Sequence, residues 1–126
     1  GGKRMGKYVI TVNDKGNYHF NLLAGNGEPI LTSQMYKARK NALKGIASVT
    51  KNAPAAPVED TTVEGYAKEK NPKFQIYQGK DEKCYFRLIA GNGQAIGRSE
   101  GYSSMKSCKN GIESVRKNAE SPVTDK

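Results

Sequence analysis

The chain has 126 residues, 36% of them hydrophobic, and no apolar run near the ~20 residues of a membrane-spanning helix, so it is read as one small domain or two closely joined halves with no membrane contact. Lys and Arg number 21 against 12 acidic residues, a net charge of +9 that attracts polyanions or simply keeps a small protein soluble. Two cysteines and one histidine are too few for a structural zinc site, and no secretion pattern is present, so reduced thiols in a cytoplasmic protein without cofactor are expected.

Residues 1–6 are basic and glycine-rich and read as a disordered or non-native N-terminus, with Met5 as a natural start. Lys7 to Val12 then alternates, with Tyr8 and Ile10 on one face, which marks a strand. A polar turn at 13–17 leads to a second strand with Tyr18, Phe20, Leu22 and Ala24 on the core face. The stretch that follows, Leu22-Leu23-Ala24-Gly25-Asn26-Gly27-Glu28-Pro29-Ile30, returns as Leu88-Ile89-Ala90-Gly91-Asn92-Gly93-Gln94-Ala95-Ile96. The same shift carries Lys7 onto Lys73 and Ala53 onto Ala119 without a gap, so the chain reads as a tandem duplication. Each Asn-Gly pair predicts a two-residue type I′ hairpin leading into a third strand, 30–33 and 96–99.

A helix follows in each copy. Its apolar stripe is Ala38, Ala42, Ile46, Val49 and Ala53 in the first and Met105, Cys108, Ile112, Val115 and Ala119 in the second. Ser103 is expected to cap the second helix, whereas the first copy has Lys37 at that place. Gly45 and Gly111 within the helices predict a close approach of another element. Asn52 and Asn118 suit a left-handed residue at the helix end. Past Pro54, Pro57-Val58-Glu59-Asp60 has its echo in Pro122-Val123-Thr124-Asp125, predicting a short extended piece anchored by Val58 and Val123 that pairs with a sheet edge.

The organisation expected is repeat 1 at 7–60, a linker at 61–72 and repeat 2 at 73–125. Each copy carries about +5, from seven basic against two acidic residues and nine against four, while the joining stretch is about −2. A meander of this size leaves too much sheet uncovered alone. The fold expected is therefore α+β: two β-β-β-α(-β) units closed into one pseudo-twofold domain, by joining the meanders into one antiparallel sheet or exchanging helices. Two independent beads are the alternative.

Asn92-Gly93, Ser99-Glu100-Gly101-Tyr102, the run Ser107-Cys108-Lys109-Asn110-Gly111-Ile112-Glu113-Ser114-Val115, and Asn118-Ala119 together resemble the YegP-like family, DUF1508 or UPF0339. The resemblance covers both repeats. It implies a duplicated β-β-β-α-β unit, single-unit members that dimerise into the same arrangement, and no particular activity. The first copy departs from it, with Gln34-Met35 for Glu100-Gly101 and Ala47 for Glu113, so any role of those carboxylates belongs to the second copy.

No catalytic constellation stands out. His19 falls on the strand face away from the core with no carboxylate in view. The pairs Ser33/Ser99, Tyr36/Tyr102 and Ser48/Ser114 suit local backbone satisfaction. Gly25-Asn26-Gly27 lies in a hairpin without the following helix that a phosphate cradle needs. The outward sheet face carries Thr11, His19, Asn21 and Leu23 in one copy and Tyr77, Tyr85, Arg87 and Ile89 in the other. The expected role is a non-enzymatic interaction module, a monomer with an internal pseudo-dimer and an unknown protein partner. The alternative is weak, salt-dependent nucleic-acid binding through Tyr77, Tyr85, Arg87, Lys106 and Lys109. Cross-strand Tyr and Arg pairs that merely stabilise the sheet are the competing reading.

Overall fold

The computed structural model describes residues 6–126, so of the segment 1–6 expected to be disordered, 1–5 lie outside the described residues. Gly6 is buried: a Cβ there would stand 2.5 Å from Leu23 O and from Asn118 Oδ1. The fold is α+β, with two helices on one mixed sheet. In chain order the elements are β1 (Lys7–Val12), β2 (Tyr18–Leu23), β3 (Pro29–Ser33), α1 (Arg39–Asn52), β4 (Val58–Asp60), β5 (Lys73–Gln78), β6 (Cys84–Ile89), β7 (Ala95–Arg98), α2 (Met105–Asn118) and β8 (Val123–Asp125).

The eight strands form one sheet in the order β4-β5-β6-β7-β3-β2-β1-β8. Two meanders meet at an antiparallel seam where Thr32 faces Arg98 and Ser33 faces Gly97. Gly97 has no room for a side chain, since a Cβ would lie 2.8 Å from Thr32 O. The sheet is mixed, not purely antiparallel, because β4 runs parallel to β5 and β8 parallel to β1. In each half the chain crosses over the sheet through its helix, and its final strand lands on the first strand of the other half. Helices are not exchanged. α1 packs on β2 and reaches β7, and α2 packs on β6 and reaches β3 and β2.

Alternation decides which face the helices cover. Tyr8, Ile10, Phe20 and Leu22, with Phe74, Ile76, Phe86 and Leu88, are almost fully buried beneath Ile46, Val49, Ile112 and Val115. Burying each such side chain contributes ~1.5–3 kcal/mol. Phe20 meets Tyr8 edge-on at 5.8 Å and stacks on Tyr36 at 6.3 Å, and Phe86 does the same with Phe74 at 5.9 Å and Tyr102 at 6.2 Å. Gly45 and Gly111 are the notches for those tyrosines: a Cβ on either would collide with the Tyr36 or Tyr102 hydroxyl and lie 3.0 Å from Phe20 or Phe86. The Tyr8 hydroxyl donates to Ala119 O at 2.7 Å, as does Thr50 Oγ1, so the end of α2 is satisfied by the N-terminal half.

Several local expectations need correction. The Asn-Gly loops are not type I′. Ala24 O accepts from Gly27 N, Glu28 O accepts from Ala24 N, and only Gly27 has positive φ, at 86°. That is the three-residue loop whose last residue is left-handed, and Gly93 at 87° repeats it. Asn26 Oδ1 accepts from Glu28 N instead of supplying a left-handed backbone. The cap of α2 is Ser104, one residue later than expected, accepting from Ser107 N at 3.1 Å. Asn52 and Asn118 stay helical and use their amides on Ser48 and Ser114 four residues back. Val58 and Val123 are exposed, so they anchor nothing. The strands they start are held by backbone pairing, and in β4 by Glu59, which is 2% exposed.

Candidate functional site

With both helices on one face, the opposite face of the sheet is open. Register defines a row across it: Glu59, Gln75, Arg87, Arg98, Thr32, Asn21, Val9 and Thr124, one from each strand. At the β4 end the row is closed off. Glu59 accepts from Gln75 Nε2 at 2.7 Å, Lys73 Nζ at 2.7 Å and Glu69 N at 2.8 Å. These bonds from Gln75, Lys73 and the backbone outweigh burial and hold its carboxyl down to about 2. The linker 61–72 is thereby clipped over this corner.

The middle of the row is charged and exposed. Arg87 and Arg98 are direct cross-strand partners. Arg87 donates to Gln75 Oε1 at 2.7 Å and lies over the Tyr77 ring at 5.3 Å, while Tyr77 stacks on Tyr85 at 5.6 Å. The Tyr85 hydroxyl donates to Asp81 Oδ2 at 2.5 Å, which lowers the Asp81 carboxyl and raises the phenol. Neither arginine has a carboxylate partner among the described residues, unlike Arg39, Lys73 and Arg116. Thr32, Gln34, Met35, Tyr77 and Gln94 line a groove with the two arginines, and no carboxylate borders it. Arg98 and Tyr77 also line the neighbouring hollow on the Tyr85 side, which Asp81 and Glu100 border.

Of the sequence candidates, the structure brings Tyr77, Tyr85 and Arg87 together and separates Lys106 and Lys109 from them. Both lysines ride on the exposed side of α2, and the sheet stands between. They belong to a helix face with Lys40, Lys44, Lys51 and Lys117, all exposed. The residue that sequence reasoning missed is Arg98. Register from the Asn92-Gly93 hairpin would have set it beside Arg87, but its own strand has four residues, too few for alternation to be read.

The serines at the strand-to-helix corners are engaged in the fold. Ser33 Oγ accepts from Phe20 N and donates to Gln34 O, and Ser99 Oγ accepts from Phe86 N and donates to Glu100 O. Burial pushes the Cys108 thiol up to about 11, so it is a poor nucleophile at neutral pH. His19 is half-buried on the open face opposite Thr11, its Nδ1 without a partner. No helix of the described residues is long and apolar enough to cross a membrane.

A family model described as a domain of unknown function, DUF1508, matches residues 13–60 and again 80–125. The UPF0339 protein YegP of Yersinia pestis is 41% identical over 94% of this chain and 93% of its own, and UPF0339 protein PM0519 of Pasteurella multocida is 44% identical over 94% and 91%. Two solution structures share the fold. One is yegP of E. coli, a protein of unknown function, with a TM-score of 0.80 at 33% identity over 99% of this chain and 96% of that one. The other is UPF0339 protein SO3888 of Shewanella oneidensis, at 0.78 and 35% over 95% and 90%.

Proposed function

From the premise that the chain belongs to the DUF1508 (UPF0339) family, we propose that it is a non-enzymatic binding module whose working surface is the open face of the sheet. One observation carries this: the open face holds two arginines with no carboxylate partner among the described residues, while the Ser33 and Ser99 hydroxyls are bonded to backbone and the Cys108 thiol is buried. Catalysis requires an activated group beside a base, and no such pair is assembled among the described candidates.

We also infer a tandem duplication with a pseudo-twofold axis through the β3–β7 seam. The palindromic strand order and the twofold match of one family model support it. In that arrangement the last strand of each unit completes the sheet of the other. A monomer in the cytoplasm is the state this reading expects.

The experiment is affinity capture from the native host with wild type, Arg98→Glu and Lys106→Glu. Expected is a partner lost with Arg98→Glu and kept with Lys106→Glu. Capture unaffected by Arg98→Glu would place the working surface elsewhere.

A further inference from the structure

We propose that the groove holding Arg87 and Arg98 binds single-stranded nucleic acid, the two guanidinium groups taking backbone phosphate. The proposal rests on the open-face reading above and specifies its partner.

The first support is charge. Like charges directly opposite on neighbouring strands destabilise a sheet. Arg87 and Arg98 are so placed, and no carboxylate borders the groove they share; Asp81 and Glu100 lie in the neighbouring hollow that Arg98 also lines, and neither forms an ion pair with it among the described residues. A bound phosphate relieves the repulsion and accepts from either planar fork. The second is shape. From Gln75 through Arg87, Arg98 and Thr32 to Asn21 the row crosses five adjacent strands. At a strand spacing of ~4.8 Å this is a strip of about 20 Å. An extended polymer can follow such a strip from one strand to the next.

The third concerns what lies beside the phosphate positions. Tyr77 already has Tyr85 and Arg87 against its ring, so the guanidinium planes offer the stacking surface. Gln34, Gln94 and Thr32 in the groove supply uncharged donors and acceptors for base edges. An extended acidic peptide would more readily add to an edge strand by backbone pairing, and the edges are β4 and β8, away from the groove.

The test is fluorescence anisotropy of the full chain with a fluorescein-labelled mixed-sequence 15-nucleotide DNA strand. Its duplex and polyglutamate serve as competitors, at two salt concentrations. Expected is single-strand binding that weakens with salt, with log K falling by about 0.7 per log unit of salt for each phosphate contacted. Arg87→Gln and Arg98→Gln should each weaken binding about tenfold and flatten that slope by about 0.7, and Arg98→Gln, which relieves the cross-strand repulsion, should not lower the melting temperature. Lys106→Gln combined with Lys109→Gln should change affinity less than about twofold, since those side chains are across the sheet. Absent binding at low salt, binding that survives both arginine variants, equal loss in the lysine variant, or equal competition by duplex or polyglutamate would each overturn the proposal. If the DNA fails while Arg98→Glu still abolishes partner capture, only this inference falls. If both fail, the open-face reading falls with it.

Discussion

Glu82 holds a left-handed backbone, φ 66°, at the turn where the N-terminal half has Gly16 at 80°. A side chain there costs ~1–2 kcal/mol, so Glu82→Gly is expected to raise stability by about 1 kcal/mol in urea titration. An unchanged or lower midpoint would show that the turn is not strained. Glu59 bears on stability in the opposite sense. Its carboxyl is held down to about 2 against an ordinary 4.5, so its contribution is complete above pH 4.5 and is lost as pH falls toward 2. Unfolding measured between those limits should steepen in wild type and flatten in Glu59→Gln. Glu59→Ala should cost about 2–3 kcal/mol by leaving Lys73 and the Glu69 amide without their acceptor. Nothing in the sequence around Glu59 marked it. Its neighbours in the cluster come from a linker and a strand 10 to 16 residues on, and which linker atoms return is a tertiary fact.

The strands and helices were legible because period two and period 3.6 each left a clean apolar set: Phe20 with Leu22, and Cys108, Ile112 and Val115. Turn types and caps were not, because Asn-Gly fits a left-handed glycine after three residues as well as after two. The two helix glycines were legible as close approaches, and the partner proved to be a tyrosine from the strand-to-helix corner. Ala normally gains ~1 kcal/mol over Gly within a helix. At Gly111 the Tyr102 hydroxyl and Phe86 occupy that space, so Gly111→Ala should instead cost about 1–2 kcal/mol. The penalty should shrink in a Tyr102→Leu background, and thermal melts of the double-mutant cycle decide it. Additive effects would show that the notch is not what selects glycine.

At the scale of the molecule, the sheet order was not legible from either half, since a seam between β3 and β7 and the landing of β4 on β5 involve residues far apart in sequence. It carries a clear expectation. Residues 6–60 alone would lose the seam, the β5 support for β4 and the α2 backbone that Tyr8 and Thr50 satisfy. That segment should not persist as an ordered monomer, and a well-dispersed amide spectrum independent of concentration would refute this. The placement of β8 beside β1 has a further consequence. Val58 faces Phe74, and Val123 faces Tyr8, in the same parallel sense, so β8 and β1 are related as β4 and β5 are across 61–72. A circular permutant opened within 61–72, with its original ends joined by a spacer of similar length, would keep every strand neighbour and every helix contact. The protein is in that sense a closed ring of elements whose starting point is arbitrary.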